Sequence, residues 1–407
     1  MIRKRGFYEK KICIITSMIY PVPSVKGGAV EGLVELLVRM NEKYNKLDLT
    51  VISVYDMEAE KKSNMYQNTK FIYIDKNKIQ DKIFSKKIFI YLNKIFMKFT
   101  GNTLISMPFV KRALKAVRNQ NFDKYILEGG GDCYNFGYLH KKIEPNKLYV
   151  HFHGEVSGEK AIQNWFGKCI TVSNFIARRL VCNGIVESEK VSVLPNCFDQ
   201  QSMMTTISRQ DIRNKYGLKD KDIVFVYWGR LLPEKGVYEL IKAYKNIKRE
   251  NDNTKLLILG NANFGYNTHS SYDEKLQQIC SEENLKEEII FTGFVPHDEM
   301  GSILAACDIG VIPSIWDDPA PLTVFEGLSK GLPLIVSAVG GIPETIKNGE
   351  NGILVNWTTQ YDRVLSDKLS ELKNNETLRR KLSENAKKSI KEYTPDKYYE
   401  RYIELLD

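Results

Sequence analysis

Short apolar runs rich in β-branched residues recur along the chain and alternate with segments of helical periodicity. Such an alternation predicts parallel sheets that are covered by helices on both faces. The first series of predicted strands comprises Ile12–Ile15, Leu49–Val54, Phe71–Ile74, Tyr125–Leu127, Leu148–His151, Ile170–Val172 and Val191–Leu194. The second series comprises Ile223–Tyr227, Leu256–Leu259, Ile289–Phe291, Ile309–Ile312, Leu334–Val336 and Ile353–Val355. Two series predict an α/β protein with two doubly wound, Rossmann-like domains.

The boundary between the two predicted domains falls in the polar stretch 199–209, which has no strand pattern. A chain of 407 residues is also too long for one ordinary core. We expect an N-terminal domain over residues 1–200 and a C-terminal domain over 209–390. Residues 391–407 carry an amphipathic stripe and are predicted to form a separate C-terminal helix.

Composition is that of a soluble globular protein, with 43% hydrophobic and 27% charged residues. Apolar stretches stay below the roughly 18 residues needed to span a bilayer, and the apolar run after the basic start is too short for a signal peptide. A cytoplasmic location is therefore the expectation. The seven cysteines are scattered without a C-x-x-C pair, which predicts buried free thiols rather than a zinc or disulfide framework.

Positive charge is concentrated in residues 76–118, where eleven lysines and arginines face a single acid, Asp81. Bulky apolar residues are interleaved with these cations. The combination predicts a segment that binds an anionic membrane surface. The alternative is a solvated helix pair whose apolar stripe packs on its own domain. Nucleic-acid binding is not favoured, because no recognition motif accompanies the charge.

Candidate ligand-binding groups follow the predicted strands, as expected for doubly wound sheets, which bind ligands at the carboxyl ends of their strands. Gly27 and Gly28 follow the first strand and open a helical pattern. Paired glycines allow a backbone to approach a phosphate closely, although a simple tight turn is the alternative. The pair is not a G-x-G-x-x-G motif, which argues against a nicotinamide cofactor.

Two cations, Arg230 and Lys235, follow the first strand of the second series within a glycine-bounded turn. A diphosphate leaving group gains negative charge as its bond breaks, and fixed cations stabilise that charge. An ordinary pair of surface cations is the alternative. The turn favours a phosphate site.

The segment after the strand Ile309–Ile312 is the most informative part of the chain. Pro321 suits the first position of a helix, which would leave the N–H groups of Leu322 and Thr323 free for a phosphate. Glu326 lies one turn further on, and its carboxylate is expected to reach the same helix end, where it could accept two hydrogen bonds from a ribose diol. Asp318, eight positions before Glu326, is a second acid. A capped helix without a ligand is the alternative.

Two histidines, His151 and His153, follow one another on a predicted strand end with one residue between them. They point to the same side, as metal ligands would, but no third ligand is near them in the sequence. A metal site is therefore not expected, and Asp317–Asp318 does not form a D-x-D metal motif either. His153, beside a glycine, could instead contact a sugar hydroxyl.

In this order, the motifs resemble the family-4 retaining glycosyltransferases of the GT-B fold. The resemblance covers nearly the whole chain and is firmest in the C-terminal half. Its segments are KGGAVE (26–31), HFHG (151–154), ITVSNF (170–175), VLPNCFD (193–199), GRLLPEKG (229–236), LLILGN (256–261), IIFTGFVP (289–296), DIGVIPS (308–314), the acid-x7-Glu segment (318–326) and GGIPETIKNGENGILV (340–355).

The resemblance implies transfer of a sugar from a nucleotide donor with retention at the anomeric carbon. Two facing domains would form a central cleft, and the C-terminal helix would cross back to the N-terminal domain. The implied donor contacts are Arg230 and Lys235 to the diphosphate, Glu326 to the ribose, Gly27 and Gly28 to a phosphate, Phe294 and Val295 to the base, His153 to the sugar, and the backbone of Ala320, Pro321, Leu322 and Thr323 to sugar hydroxyls and phosphate.

One departure from the family pattern concerns Asp318, which stands where Glu is common and is shorter by one methylene. The usual Phe-Gly after that acid is replaced by Ala320–Pro321. No carboxylate is placed as a nucleophile, so front-face displacement is the expected mechanism, with cations and a helix end in place of a metal.

We expect a UDP-sugar donor and a lipid-linked glycan acceptor, with the enzyme on the inner face of the cell membrane and a role in building a surface polysaccharide such as a capsule. The alternatives are a catalytically silent partner that binds sugar nucleotide or glycan, and a sugar-nucleotide epimerase or phosphorylase of the same fold.

Overall fold

A computed structural model describes residues 10–17, 19–75, 91–92, 95–96, 107–129, 139–154, 164–248, 253–261 and 270–407. The chain forms two compact units. Unit 1 comprises residues 1–195 together with the C-terminal residues 395–407, and unit 2 comprises residues 196–394.

Unit 1 contains a parallel sheet whose strands, in the described part of the chain, have the order β3-β2-β1-β4-β5-β6-β7. The strands are β1 Lys10–Ile15, β2 Leu47–Val54, β3 Thr69–Ile74, β4 Lys124–Gly129, β5 Leu148–Phe152, β6 Lys168–Thr171 and β7 Val191–Val193. Each run predicted in the first series coincides with one of these strands, but the predicted ends Val172 and Leu194 each lie one residue beyond the strand. The strand order reverses between β1 and β4, so their carboxyl ends flank the switch point at which such sheets bind ligands.

Between these strands run the helices of unit 1 whose bounds lie in the part of the chain that the structure describes. They are α1 Ala29–Tyr44, α2 Met57–Ser63, α3 Met107–Val117 and α4 Asn174–Cys182. In α1 the buried stripe includes Leu33, Leu36 and Leu37. The core continues through α3, where Phe109 and Val110 are buried. These contacts place the start of α1, and with it the Gly27–Gly28 loop, at the carboxyl edge of the sheet.

Unit 2 repeats the architecture with the strand order β10-β9-β8-β11-β12-β13 in its described residues, and every pairing is parallel. The strands are β8 Ile223–Trp228, β9 Thr254–Leu259, β10 Ile289–Gly293, β11 Ile309–Ile312, β12 Leu334–Ser337 and β13 Ile353–Val355. These strands contain the second predicted series. The switch point lies between β8 and β11, directly beside the two loops that carry the candidate donor-binding residues.

The helices of unit 2 bury the two faces of this sheet in two apolar clusters. They are α5 Arg209–Lys215, α6 Val237–Ile247, α7 Ser271–Glu282, α8 His297–Ala306, α9 Leu322–Ser329, α10 Ile342–Thr345, α11 Tyr361–Asn374 and α12 Glu376–Ser389. Two Rossmann-like α/β domains are thus confirmed.

The last helix, α13 Pro395–Leu405, belongs to unit 1 although the chain reaches it from unit 2. Its buried side chains include Tyr398, Tyr399 and Tyr402. The Tyr399 hydroxyl donates to Oδ1 of Asn41 on α1, with 2.7 Å between the two oxygens. The amphipathic stripe seen in the sequence therefore packs on the N-terminal part of the chain.

Cysteines are free thiols in the described part of the chain. Burial is confirmed for Cys13, Cys169, Cys197, Cys280 and Cys307. It is wrong for Cys182, which is exposed because it ends α4 on the side that faces water. Cys133 lies outside the described residues.

Candidate functional site

The loop after β8 is held in one conformation by its neighbours. The phenolic O–H of Tyr227 donates to the carbonyl of Arg230 over 2.7 Å. Gly236 has φ 72°, and a Cβ at that position would lie 1.9 Å from the carbonyl oxygen of Pro313. Only glycine fits there, because any side chain would collide with backbone. The loop that carries Arg230 and Lys235 is thereby fixed against the end of β11.

Lys235 points to the acid that was singled out from the sequence. Its Nζ forms an ion pair with Oδ2 of Asp318 over 2.5 Å, and it lies 5.3 Å from the ring centroid of Trp316. Asp318 is 5% exposed, so its carboxylate is held in one place beside its partner. The structure therefore brings together two residues that lie 83 positions apart in the chain.

Arg230 is exposed, and its charge and that of Asp318 both act on the hydroxyl of Tyr227. The pKa of the Tyr227 hydroxyl is raised by burial and then by the charges of Tyr272 and Asp318, while the charge of Arg230 lowers it. A Cβ on Gly229 would lie 3.9 Å from Cγ2 of Thr323. The loop of Arg230 therefore lies against the beginning of α9.

The start of α9 differs from the expectation by one position. Pro321 has φ −68° and ψ 129° and precedes the helix as its N-cap, so the prediction that it occupies the first helical position is wrong. The reason is its extended ψ, which keeps the residue outside the helix; Leu322 is the first helical residue. The first N–H with a partner in the turn is that of Val324, which donates to the Pro321 carbonyl. The N–H groups of Leu322 and Thr323 precede it at the helix end, as expected.

Glu326 lies one turn into α9 and is 9% exposed. The indole Nε1–H of Trp228 donates to its Oε2 over 2.8 Å. Trp228 is the last residue of β8, and Glu326 lies in the helix that follows β11. The hydrogen bond therefore connects the two strands that flank the switch point. A buried carboxylate held by one donor can present its remaining lone pairs to the hydroxyls of a ligand.

A glycine loop supports the acid-bearing segment from the other side. The N–H of Gly341 donates to the carbonyl of Asp318 over 2.9 Å. Gly340 has φ 58°, and a Cβ there would lie 2.1 Å from the same carbonyl oxygen. The loop after β12 thus lies beside the Asp318–Glu326 segment.

Phe294 and Val295 follow β10 at the same carboxyl edge, two strands from β8. Phe294 is 41% exposed and Val295 is 9% exposed. An exposed ring after a strand can stack on a planar ligand, while Val295 belongs to the core of the unit. Their contact with a base stays a prediction.

In unit 1 the Gly27–Gly28 loop is closed by an acid that follows it. Gly28 has φ 102°, and a Cβ there would lie 2.2 Å from Oε2 of Glu31. The Ser17 hydroxyl donates to Oε1 of Glu31 over 2.6 Å. Burial, partly offset by this hydrogen bond, raises the pKa of Glu31.

His153 does not stand alone, because an acid from the neighbouring strand meets it. The Nε2–H of His153 donates to Oε2 of Glu128 over 2.7 Å, and Nδ1 of His151 lies 3.0 Å from the same oxygen. The expectation that no third group lies near the two histidines is wrong, because the pairing of β4 with β5 sets Glu128 directly opposite His151.

The three side chains share one buried environment that changes their protonation. Burial would raise the pKa of Glu128, but the charge of His151 and the hydrogen bond from His153 lower it to about 2. Burial, followed by the charge of His151, lowers the pKa of His153 to about 4 against the opposing effect of Glu128. At neutral pH the arrangement is an ionised carboxylate beside a neutral His153.

Residues 208–389 match the profile of the family described as Glycosyl transferases group 1. Unit 2 therefore carries the matched part of a group 1 glycosyltransferase. The chain is 24% identical over 404 residues to the putative glycosyltransferase YtcC of Bacillus subtilis, which covers 93% of this chain and 87% of that protein. The resemblance drawn from the motifs is confirmed.

Two further comparisons extend this result. Over 173 residues the glycosyltransferase is 31% identical to the UDP-Gal:alpha-D-GlcNAc-diphosphoundecaprenol alpha-1,3-galactosyltransferase of Escherichia coli, covering 42% of each chain. The crystal structure of Anabaena Alr3699/HepE in complex with UDP-glucose superposes with a TM-score of 0.73 at 17% identity, covering 98% of this chain and 99% of that one. The second likeness shows the shared fold.

Two residues of the glycosyltransferase were missed by the motif search. Trp228 precedes the Gly229–Arg230 motif, and an indole at a strand end was the available signal. Glu128 stands in front of three glycines at the end of a strand run, which is the position where ligands bind. Neither signal identifies the partner, because that depends on which strands are neighbours.

The basic segment 76–118 is described only in part. In α3 the apolar Phe109, Val110, Ala113 and Val117 lie in the core, while Lys111, Lys115 and Arg118 are exposed. There the apolar stripe packs on its own domain, as in the alternative. Tyr91, Leu92 and Ile95 are exposed, and 76–90, 93–94 and 97–106 lie outside the described residues. Among the helices that can be described, none combines the length and the apolarity required to span a bilayer.

Proposed function

We propose that this glycosyltransferase transfers a hexose from a UDP-sugar to a lipid-linked glycan acceptor with retention at the anomeric carbon. The observation that carries the proposal is the pairing of Lys235 with Asp318 and of Trp228 with Glu326 at the switch point of unit 2. It joins a cation and a ribose-binding acid at the N-terminal end of α9, where a nucleoside diphosphate is favoured.

In the proposed front-face displacement, one bond breaks, one bond forms and one proton is transferred. The bond between the anomeric carbon and the diphosphate oxygen breaks, and the electron pair leaves with UDP. The acceptor hydroxyl oxygen forms the new bond on the same face of the sugar. Its proton passes to the departing phosphate oxygen. No enzyme carboxylate needs to form a covalent bond.

The residues of unit 2 divide the work of this reaction. Arg230, Lys235 and the N–H groups of Leu322 and Thr323 stabilise the charge that develops on the diphosphate. Glu326, oriented by Trp228, accepts the ribose hydroxyls. Asp318 positions Lys235 through their ion pair. We also propose that its carboxylate contacts a hydroxyl of the donor sugar. Fixed cations and a helix end supply the charge that a metal would otherwise provide, so we propose that the transfer needs no metal.

The UDP donor is supported by the relatives. The Escherichia coli protein is named for UDP-Gal and for a diphosphoundecaprenol acceptor, and the Anabaena structure contains UDP-glucose. His153 is the residue of unit 1 that we propose to contact the transferred sugar, because the resemblance implies it and the ring is fixed by Glu128.

The acceptor proposal also rests on the basic segment. Exposed Tyr91, Leu92 and Ile95 lie in a stretch with a large excess of cations, a composition that suits the surface of an anionic membrane. We propose that the enzyme works on the inner face of the cell membrane and that its product is part of a surface polysaccharide.

The donor proposal is tested by thermal unfolding with UDP, GDP, dTDP and ADP, without added metal. A ligand at about 100 times its Kd stabilises the folded state by roughly 2.7 kcal/mol. We expect a shift with UDP alone. Arg230→Ala should lower turnover of the UDP-sugar by about 100-fold or more. Arg380→Ala is the matched control, since Arg380 is exposed in the same unit and pairs only with Glu376 within the described residues.

The outcomes separate the alternatives. A silent partner would bind UDP but transfer no sugar, and Arg230→Ala would leave its supporting role intact. An epimerase would change the UDP-sugar without an acceptor. Loss of transfer in Arg230→Ala with unchanged transfer in Arg380→Ala supports the transferase.

Membrane binding is tested with liposomes that contain anionic lipid. Lys86, Lys87, Lys94 and Lys98 are changed together to Glu. The control changes exposed lysines of unit 2 by the same charge, namely Lys221, Lys286, Lys381 and Lys388. We expect only the first variant to lose binding. Unchanged binding in the first variant would contradict the membrane proposal.

A further inference from the structure

Three potential metal ligands meet at the carboxyl edge of the unit 1 sheet. They are Glu128 near the end of β4, His151 in β5 and His153 just beyond it, and their ligand atoms all lie within 4.8 Å of one another. The two imidazole rings are 4.0 Å apart between centroids. The parallel pairing that sets Glu128 opposite His151 makes this convergence a fixed property of the sheet.

Among the three residues, His151 has buried nitrogen atoms that lack a hydrogen-bond partner in the described residues. The residue is 0% exposed, and neither Nδ1 nor Nε2 has a hydrogen-bond partner among the described residues. Nδ1 approaches Oε2 of Glu128 to 3.0 Å without the angle of a hydrogen bond. A buried polar nitrogen without a partner costs free energy, so a group that it could bind would stabilise the site.

The atoms lie somewhat closer together than the ligands of a bound cation. Ligands about 2.1 Å from a tetrahedral zinc ion are about 3.4 Å apart. The present separations from Oε2 of Glu128 are 2.7 Å to Nε2 of His153 and 3.0 Å to Nδ1 of His151. Small side-chain rotations would open the cluster around an ion. Two imidazoles with one carboxylate suit zinc, cobalt or nickel better than magnesium or calcium, which prefer oxygen ligands.

We propose that Glu128, His151 and His153 bind one divalent transition-metal ion of the zinc class. Three protein ligands leave a fourth position for water or a substrate hydroxyl. The ligands of the ion belong to unit 1, whereas Arg230 and Lys235, which we propose to bind the donor diphosphate, belong to unit 2. The ion takes Nε2 of His153 as a ligand, so it should inhibit sugar transfer; this consequence alone rests on the proposed function.

The test begins with the full chain, stripped of metal, and measures binding of Zn²⁺ by equilibrium dialysis and of Co²⁺ by visible absorption. We expect one tightly bound ion per chain and the intense absorption of tetrahedral Co²⁺ with nitrogen and oxygen ligands. A thiolate-to-cobalt charge-transfer band would instead assign the ion to cysteine. Absence of a stoichiometric ion in the wild-type protein would overturn the proposal without any variant.

Three variants localise the ion: Glu128→Gln, His151→Gln and His153→Gln. Each should lower the affinity for Zn²⁺ at least tenfold. His297→Gln, at an exposed position in unit 2, should leave it unchanged. Thermal unfolding without metal identifies any variant that fails to fold, and the other two then decide. Undiminished Zn²⁺ binding in folded variants would show that the cluster is only a hydrogen-bonded network.

Discussion

Trp228 donates its indole N–H to Glu326, and two glycines make room for this bond. The Nε1 to Oε2 distance is 2.8 Å. A Cβ on Gly310 would lie 3.1 Å from Cη2 of Trp228, and one on Gly327 would lie 3.0 Å from it. The indole therefore occupies a slot that side chains would close. Trp228, at the end of β8, thereby orients the carboxylate of Glu326 on α9.

Replacing Trp228 by Phe should weaken donor binding more than it slows the chemical step. The substitution removes the donor to Oε2 and leaves a buried carboxylate without it, and hydrogen bonds to charged groups contribute about 1.5–3 kcal/mol. We expect the KM for the UDP-sugar to rise about tenfold or more, with a smaller change in kcat. Trp357→Phe, at a partly exposed ring in the same unit, is the control. An unchanged KM would contradict the role assigned to the indole.

Gly340→Ala should destabilise the protein and impair transfer. Its Cβ would lie 2.1 Å from the carbonyl oxygen of Asp318, in addition to the cost of a positive φ. Gly349 is a matched control, because its φ is 73° and a Cβ there meets nothing within 4 Å. We expect Gly349→Ala to lower the free energy of unfolding by about 1 kcal/mol, because alanine disfavours a positive φ. Gly340→Ala should lower it by at least about 2 kcal/mol more. Chemical denaturation of both variants measures the difference, and equal losses would refute the collision.

Two tyrosines on α13 should respond in opposite ways to loss of a hydroxyl. Tyr399 donates to Asn41, whereas the hydroxyl of Tyr402 is buried without a hydrogen-bond partner in the described residues. Tyr399→Phe should lower the free energy of unfolding by about 1 kcal/mol. Tyr402→Phe should leave it unchanged or raise it, because a desolvated, unsatisfied hydroxyl is removed. A larger loss in Tyr402→Phe, measured by urea denaturation, would contradict this assignment.

Glu31→Gln should stabilise the protein at neutral pH but not in acid. Burial raises the pKa of Glu31 above 4.5 in the folded state, so the folded protein binds more protons than the unfolded one between the two values. Stability contributed by this group is therefore present at low pH and falls as the pH rises through that window. Glutamine removes the charge and can still accept the Ser17 hydrogen bond.

The measurement is the Tm of wild type and Glu31→Gln from pH 4 to pH 8. The variant's advantage should grow with pH and vanish near the acid end. Glu58→Gln, which removes one exposed charge in the same unit, should show no such trend. A constant difference across the pH range would argue against ionisation of Glu31 as the cause.

The strands of both sheets could be read from the sequence, because buried parallel strands are short apolar runs and little else in the chain has that pattern. Ile309–Ile312 and Ile353–Val355 were predicted to the residue. Most other strands extend further than predicted, although β6 and β7 end one residue earlier: β4 continues to Gly129 and so includes Glu128. That acid was missed because hydrophobic periodicity marks the apolar part of a strand and not the polar residue at its end.

The site was predictable where partners are close in sequence and not where they are distant. The spacing of Asp318 and Glu326 within one strand–helix connection gave both acids. The partners Lys235 and Trp228 come from β8, and only the order β8-β11 in the sheet makes them neighbours. Pro321 was placed one residue too far into the helix, because the fixed φ of proline is compatible with both positions and does not determine ψ.

The contribution of α13 to unit 1 has a consequence for how the protein is synthesised. Multidomain chains commonly fold their first domain while the ribosome still makes the rest. Here Tyr398, Tyr399 and Tyr402 fill the core beside α1 and are translated after the whole of unit 2. Unit 2, whose residues are contiguous, can complete itself during elongation, whereas unit 1 must wait until α13 has been translated. The order of maturation is the reverse of the order of translation.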